Sequence, residues 1–433
     1  MRGSIAVLLS ALAGLAAAGT AAGQQPLELG ALYREARQAD PRLGQLELEA
    51  AASELRLRNI EAERRPSLAF EGRAQHQSEV VEIPVRSPDG GGPPTPPKDT
   101  FDASLRVEQV LLDPTAAARF AGERARLAEA RARVETALYT LRREVDEAFF
   151  AALLLQEREA QLATTITDLE ARLAEATRRV EEGAALPGEA AAIEAALLER
   201  RQEGAALAAE RGAALARLGE ITGRDPTAAD RLALPDLERP FAAARAALDE
   251  TRLRPELARM ARTRERLEAQ KELIDAGERP RLSAFGQAGF GRPGLDFLAD
   301  DVNPYWLAGI RVRWEPWSWG TAERERQLLA LEQEAVAADE EAFVRSLRRS
   351  VEDQLAAINL LARSAAVDER IVALRELVER ETLARYEERM VTAADLVDKQ
   401  TDVLAARQRR ATHRVELVAA QARFLTILGL EVE

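Results

Sequence analysis

Two hydrophobic patterns alternate along the chain, and they predict long helices separated by short strands. Residues 321–428 contain neither glycine nor proline and are rich in Ala, Glu, Leu and Arg, which are strong helix formers. Apolar residues here recur at spacings of three and four, as at Leu347, Val351 and Leu355, and form a stripe that requires partner helices. Residues 115–182, with no proline and one glycine, predict a second helical stretch on the order of 100 Å long at about 1.5 Å per residue.

Four short segments instead alternate apolar and polar residues with a period of two, which predicts strands with one apolar and one polar face. In one of them, Phe101 and Leu105 fall on the face opposite Asp102 and Arg106. The four segments are SLAFEGRAQH, TFDASLRVEQ, RLSAFGQAGF and PYWLAGIRVRW.

This order of elements occurs twice, because the sequence contains an internal repeat. A shift of 206 positions aligns the helical stretches, and a shift of 214 aligns the segments that precede the strands, so the first copy holds about eight extra residues. An insertion in one interval is expected of a surface loop, here the proline- and glycine-rich RSPDGGGPPTPPKD at 86–99. The matching residues are Leu141, Arg142, Arg143 and Val145 with Leu347, Arg348, Arg349 and Val351, and Pro41 and Pro66 with Pro255 and Pro280.

The repeat divides the mature chain into two units with the same predicted architecture, mainly α with a small β part. Repeat 1, residues 24–238, comprises a helical segment at 29–64, a β-hairpin at 67–110 and a long helical hairpin at 115–218. Repeat 2, residues 239–433, comprises a helical segment at 241–277, a β-hairpin at 281–315 and a long helical hairpin at 321–428.

The long helical hairpins are predicted to turn at 183–187 and at 389–392. Thr392 and Asp395 have the spacing of an N-cap and the third helical position, so the returning helix is predicted to begin there. An exposed apolar tip on a polar hairpin indicates a contact surface, although a tip can also fold against its neighbours. The tip residues are Gly183, Ala184, Leu186, Pro187, Met390, Val391 and Thr392.

The start of the chain predicts a secreted protein. Arg2 precedes an apolar run at 5–18 and a group of small residues, so residues 1–23 are predicted to be a secretory signal peptide. The run is too short for a membrane-spanning helix. The absence of cysteine excludes disulfides, thiol catalysis and cysteine metal sites.

Charge and motifs exclude several classes of function. The net charge is -13 and the basic residues are interspersed with acids, so nucleic acid is not expected as a partner. His76 and His413 have no metal-ligand partner at a useful spacing. No phosphate-binding loop or nucleophile elbow is present. We therefore expect no cofactor, no metal site and no enzymatic activity.

The strands decide between a soluble rod and a membrane protein. On periodicity alone, a plain coiled-coil rod is the stronger interpretation of the helices, and a small sheet packed on a helix is the ordinary interpretation of the strands. However, Trp306 and Trp314 share one face eight residues apart, as aromatics at both ends of an apolar band of ~25 Å would. The aromatic residues assigned to the membrane interface are Trp306, Trp314, Trp317 and Trp319.

Four strands do not close a barrel, because even the smallest barrels use about eight, and an open edge in lipid leaves backbone groups unpaired. Several chains are therefore required. Three chains would supply twelve strands and six helical hairpins.

Over essentially all of its mature length, the chain resembles the TolC-like outer-membrane efflux proteins. The resemblance rests on the repeat, the paired tips, the opening ADPRLGQLELEAAASELRLRNIEAERRPSL and the segment RYEERMVTAADLVDKQTDVLAA. It implies a homotrimer with a twelve-stranded β-barrel in outer-membrane lipid and a long α-helical barrel in the periplasm. It also implies a passive exit duct of an efflux or type I secretion system, which docks with a periplasmic adaptor and an inner-membrane pump.

The resemblance assigns Asp395 and Asp398 to a gate. They lie three residues apart on one helix face, and a trimer would place six carboxylates around the periplasmic end. Such a ring favours cations, repels anions and raises some of its pKa values. From the sequence alone, helix capping and the N-terminal dipole are the favoured explanation. The two roles are compatible.

Two departures from the family pattern concern its turns. Repeat 2 has EPWSWG after its last strand, whereas repeat 1 has EQVLLDPTAAAR, with Pro114 displaced. The family favours glycine at the tips, and Gly183 of repeat 1 corresponds to Arg389 of repeat 2, so an altered docking surface is expected there. The alternative from another class is a soluble periplasmic adaptor or structural coiled coil. Adaptors have one long helical hairpin, whereas the repeat predicts two in this chain, so the repeat argues against this alternative.

Overall fold

The computed structural model describes residues 26–81, 95–227, 229–248, 253–298 and 300–431. The predicted signal peptide at 1–23 and most of the insertion expected at 86–99 lie outside these residues. None of the described helices is both long and apolar enough to cross a membrane. The described elements are α1 (Leu29–Ala39), α2 (Arg42–Ala62), β1 (Ser67–His76), β2 (Asp99–Leu112), α3 (Thr115–Tyr139), α4 (Leu141–Glu181), α5 (Pro187–Thr222), α6 (Glu238–Ala246), α7 (Pro255–Gly277), β3 (Arg281–Arg292), β4 (Asn303–Arg313), α8 (Thr321–Glu387) and α9 (Ala393–Leu428).

The longest helix is α8, which runs for 67 residues without interruption and is therefore about 100 Å long. Helix α9 returns beside it, and α4 and α5 form the equivalent hairpin of the first repeat. The apolar stripe predicted on α8 is confirmed, since Val351, Leu355 and Ile358 pack against the central core.

Two stretches that the composition predicts as single helices are each divided. Asp40, which precedes Pro41, has an extended backbone that ends α1, and its carboxylate accepts the backbone N–H of Arg42 at 2.8 Å. Between α3 and α4, the Thr140 hydroxyl donates to the carbonyl of Ala137 at 2.7 Å, a local bond that competes with helical hydrogen bonding. Residue composition does not register such local competition.

The four predicted strands form one antiparallel sheet in the order β1-β2-β3-β4. Strands β2 and β3 join the two repeats, with Leu105 opposite Ala288. In the part of the chain that the structure describes, no helix packs across this sheet. The two predicted β-hairpins are therefore halves of a single sheet that stands apart from the helices.

One central core unites the two repeats. Phe149 of α4 and Phe424 of α9 are both fully buried in it. Phe241 of α6 contacts Phe424 edge to face, with 5.2 Å between ring centroids. Burying one such side chain contributes about 1.5–3 kcal/mol, so each repeat depends on the other for its stability.

A buried polar pair ties α1 to α4 at this level. The Tyr33 hydroxyl donates to Oδ1 of Asp146. Asp146 is 1% exposed, and its Oδ2 has no hydrogen-bond partner among the described residues. Burial raises the pKa of Asp146 to about 7, although the bond from Tyr33 and the charges of Arg423 and Arg142 act in the opposite direction.

We expect the raised pKa to make the folded protein less stable as the pH rises. Between the ordinary pKa of 3.8 and the folded value of about 7, the unfolded chain loses the Asp146 proton while the folded chain keeps it. The free energy of unfolding therefore falls through this window, by on the order of a few kcal/mol. Asp146→Asn should remove that part of the pH slope, measured by thermal unfolding from about pH 4 to about pH 8.

The matched control is Asp168→Asn, which makes the same change at an exposed carboxylate of α4 and should keep the wild-type slope. Equal slopes for the wild type and Asp146→Asn would show that Asp146 does not titrate in this window.

Candidate functional site

The sheet has an exposed apolar face. Phe70 is 76% exposed and Ile310 is 68% exposed, whereas Ser104 on the other face is 2% exposed. The predicted faces are confirmed by the strand register, because Leu105 lies directly opposite Phe70. Contiguous apolar surface left in water is costly. The exposed apolar residues of this face are Leu68, Phe70, Phe101, Leu105, Val107, Phe290, Trp306, Ile310 and Val312.

The opposite face carries polar side chains that bond to one another. Arg106 donates to Glu71 on β1 at 2.7 Å and to Oε1 of Gln287 on β3 at 3.0 Å. Gln287 donates in turn to the hydroxyl of Tyr305 on β4 at 3.1 Å, and that hydroxyl donates to Asp102 at 2.5 Å. This network crosses all four strands and satisfies much of the polar face without a covering element.

The tryptophans lie at the sheet and just beyond its last strand. Trp306 and Trp314 are both exposed and are separated by about 26 Å at about 3.3 Å per residue. The Trp314 indole N–H donates to the carbonyl of Glu278 at 3.0 Å. Trp317 and Trp319 form an exposed edge-to-face pair with 5.8 Å between ring centroids. Three indoles therefore gather at the helix-proximal end of β4, while Trp306 lies towards the other end.

Both hairpin tips end their first helix with the same Schellman motif. In the first tip, the N–H of Gly183 bonds to the carbonyl of Val180 and that of Ala184 to Arg179. In the second, the N–H of Arg389 bonds to Tyr386 and that of Met390 to Arg385. The left-handed residue has φ +71° at Gly183 and φ +62° at Arg389. The repeat therefore keeps the turn while replacing the glycine that favours it.

The structure brings the two tips together around a groove of about 500 Å³. The Tyr386 hydroxyl donates to Glu189 across the groove at 3.3 Å, and the Arg179 guanidinium lies 5.6 Å from the centre of the Tyr386 ring. Leu186 and Met390 are exposed at its rim. The groove is lined by, among others, Leu186, Met390, Val391 and Thr392, while Gly183, Ala184 and Pro187 lie in the adjoining turn and helix start.

The two aspartates predicted at the gate have different surroundings. Asp395 completes the predicted capping box, accepting the backbone N–H of Thr392 at 2.9 Å and its hydroxyl at 2.6 Å. These hydrogen bonds lower the pKa of Asp395 in the single chain, and the bond from the Thr392 hydroxyl contributes most. Asp398 is exposed and forms no ion pair or hydrogen bond within the described residues. Asp398 is therefore the carboxylate available to an ion.

Each histidine pairs with one aspartate, and the two aspartates are different. His76 Nδ1 is 2.7 Å from Asp99, and His413 Nδ1 is 2.5 Å from Asp368. No group of three or more potential metal ligands occurs among the described residues.

Two features of α8 and α9 were not predicted from the sequence. Asp402 pairs with Arg375 of α8 at 2.9 Å and approaches Lys399 at 3.8 Å. On α8, Leu360, Val367 and Leu374 form an exposed apolar row. Their spacing of seven residues was a readable signal, but only the position of α9 shows that this row is left uncovered.

The structure is similar to solved structures of outer-membrane channels. It matches the outer membrane protein VceC from Vibrio cholerae with a TM-score of 0.65 and 15% identity, over 94% of this chain and 97% of the other. The CmeC outer membrane channel of Campylobacter jejuni gives a TM-score of 0.64 and 13% identity, over 93% and 85%. The MtrE outer membrane channel of Neisseria gonorrhoeae, in its open state, gives a TM-score of 0.63 and 17% identity, over 94% of this chain and 89% of the other.

No protein-family model matches the chain, and no curated protein matches its sequence. At these low identities, the similarity shows a shared fold. The expected TolC-like fold, with long helices and four strands per chain, is therefore confirmed.

We expect Arg389→Gly to stabilise the second tip. An L side chain in the left-handed region costs roughly 1–2 kcal/mol, which glycine avoids, while the added freedom of glycine in the unfolded chain offsets part of that gain. The net gain should be about 0.5–1 kcal/mol, measured by chemical unfolding. Arg389→Ala is the matched control, because it removes the charge but keeps the strained backbone. A similar gain in both variants would attribute the effect to the guanidinium instead.

Proposed function

We propose that this chain, which has the fold of outer-membrane channels, is a passive exit duct in the outer membrane. The proposal extends to a tripartite efflux or type I secretion system, in which an inner-membrane pump delivers substrates through a periplasmic adaptor. The observation that carries the duct is the sheet, whose apolar face is exposed and whose polar face is internally bonded. Such a sheet suits a membrane strand with lipid on one side and water on the other.

The free edges of the sheet support a trimer. Strands β1 and β4 are its outer strands, and neither has a second partner among the described residues. In lipid, unpaired backbone groups cost several kcal/mol each, so a spanning sheet must close. Pairing β1 of one copy with β4 of the next would do this, and three copies would give a barrel of twelve strands.

The helices support the same arrangement. Leu360 is 59% exposed, and Val367 and Leu374 extend the same row along α8. A head-to-tail ring of three chains covers such a row with a neighbouring helix, because heterologous contacts close into rings. The long hairpins would then line a periplasmic α-helical barrel about 100 Å long.

The tips are proposed as the adaptor contact and the gate. Leu186 and Met390 present apolar surface at the rim of the groove between the hairpins, as a docking site requires. Asp398, which has no partner in the described part of the chain, would form the ion-attracting ring at the entrance. Asp395 would chiefly hold the start of α9 in place through its capping box.

The test is single-channel conductance of detergent-purified trimers in a planar bilayer. We expect the wild type to give small, cation-selective currents. Asp398→Ala should enlarge the currents and reduce the selectivity, because a carboxylate ring favours cations. Asp395→Ala should have a smaller effect on selectivity and should lower the melting temperature, since it removes the capping box.

The matched control is Glu332→Ala, which removes an equal charge from an exposed site near the start of α8 and should leave selectivity unchanged. Pores with unchanged selectivity in Asp398→Ala would support the proposed duct but contradict the proposed gate at Asp398. No pores from protein shown to be folded by circular dichroism would refute the duct.

A further inference from the structure

The polar face of the sheet carries an excess of positive charge. The strand register assigns five arginines and three carboxylates to this face. The arginines are Arg73, Arg106, Arg281, Arg311 and Arg313, and the carboxylates are Glu71, Asp102 and Glu108.

Each of the three carboxylates already has an ion-pair or hydrogen-bond partner. Glu71 pairs with Arg106 at 2.7 Å, and Glu108 pairs with Arg311 at 3.4 Å. Asp102 accepts the Tyr305 hydroxyl at 2.5 Å. The remaining arginines of this face form no ion pair within the described residues, and they are Arg73, Arg281 and Arg313.

Two of these unpaired arginines lie side by side. Arg281 at the start of β3 is directly opposite Arg313 at the end of β4, and both side chains are exposed. Like charges directly opposite each other destabilise a sheet. The position in repeat 1 that corresponds to Arg281 is Ser67, which lies opposite Glu108. The repulsion is therefore particular to the second repeat and is not required by the fold.

No acid in the described part of the chain forms an ion pair with either of these two arginines. Asp113 interacts with Arg281 at longer range: burial raises the pKa of Asp113, while hydrogen bonds from Thr115 and the charges of Arg281 and Arg119 lower it, and the net direction is down. Its carboxylate is held at 2.6 Å by the Thr115 hydroxyl. Glu315, two residues beyond Arg313, forms no ion pair in the part of the chain that the structure describes.

We propose that Arg281 and Arg313 form an anion-attracting ring on the water-facing side of the sheet. The inference rests on the proposed duct, in which three copies would place six guanidiniums around the lumen at the helix-proximal end of the barrel. Rings of arginine attract anions and exclude cations. The pair lies on the face opposite Trp306 and Ile310, so its ligand is an anion in the aqueous lumen and not a lipid phosphate.

The proposed duct would then carry two rings of opposite charge along the path of its substrates. Asp398 at the tips favours cations, and the ring of Arg281 and Arg313 favours anions. This second ring would accommodate substrates with accessible anionic groups, because such groups supply the negative charge that this part of the sheet lacks.

The experiment measures the reversal potential of open pores under a roughly tenfold KCl gradient, using Asp395→Ala/Asp398→Ala so that the tips no longer select ions. Adding Arg281→Gln/Arg313→Gln should lower the chloride-to-potassium permeability ratio by roughly two- to fivefold. Adding Arg281→Glu/Arg313→Glu should lower it further. The matched control adds Arg239→Gln/Arg245→Gln, two exposed arginines of α6, and should leave the ratio unchanged.

Thermal unfolding separates this role from a structural one. Because the two arginines repel each other, Arg281→Gln/Arg313→Gln should melt at or above the temperature of its parent. Pores with an unchanged permeability ratio would overturn the anion ring and leave the duct intact. A lower melting temperature with an unchanged ratio would show that the pair is structural. Folded protein that forms no pores would overturn the duct and this inference with it.

Discussion

The constraint on which the structure depends is that a sheet must cover its apolar face and pair its edges. Here four strands present exposed side chains such as Phe70 and Ile310 to the surroundings, and no helix within the described residues covers them. Neither water nor a single copy of the chain meets this requirement. Lipid on the apolar face and neighbouring copies at β1 and β4 meet it together, which is why membrane insertion and assembly are proposed as one event.

The helices meet the same constraint differently on different faces. Where α4 packs against α9 they share one core, in which Phe149 and Phe424 are fully buried between the repeats. On another face of α8, Leu360 and Val367 remain exposed, two and nine residues after the core residue Ile358. Such an uncovered helix face suits the assembly proposed above, in which a neighbouring copy covers it.

The two repeats have the same architecture but different chemistry. Repeat 1 holds the buried Tyr33–Asp146 pair, whereas repeat 2 holds the opposed Arg281 and Arg313 and the tryptophans after β4. At the tips, one Schellman motif accommodates Gly183 and the other strains Arg389. The threefold assembly proposed above would have six hairpins of similar shape but only threefold symmetry in its charges, so two different contact surfaces would alternate around its rim.

The sequence by itself determined the helices, the four strands, both tips and the Thr392 cap, because periodicity, composition and capping act over a few neighbouring residues. It predicted single helices where Asp40 and Thr140 interrupt them, since composition averages over local competition. Only the tertiary structure decided which faces are covered and which distant residues meet. Tyr33 reaches Asp146 across 113 positions, and Arg281 faces Arg313 through strand register. Such contacts depend on packing between elements, which no local pattern records.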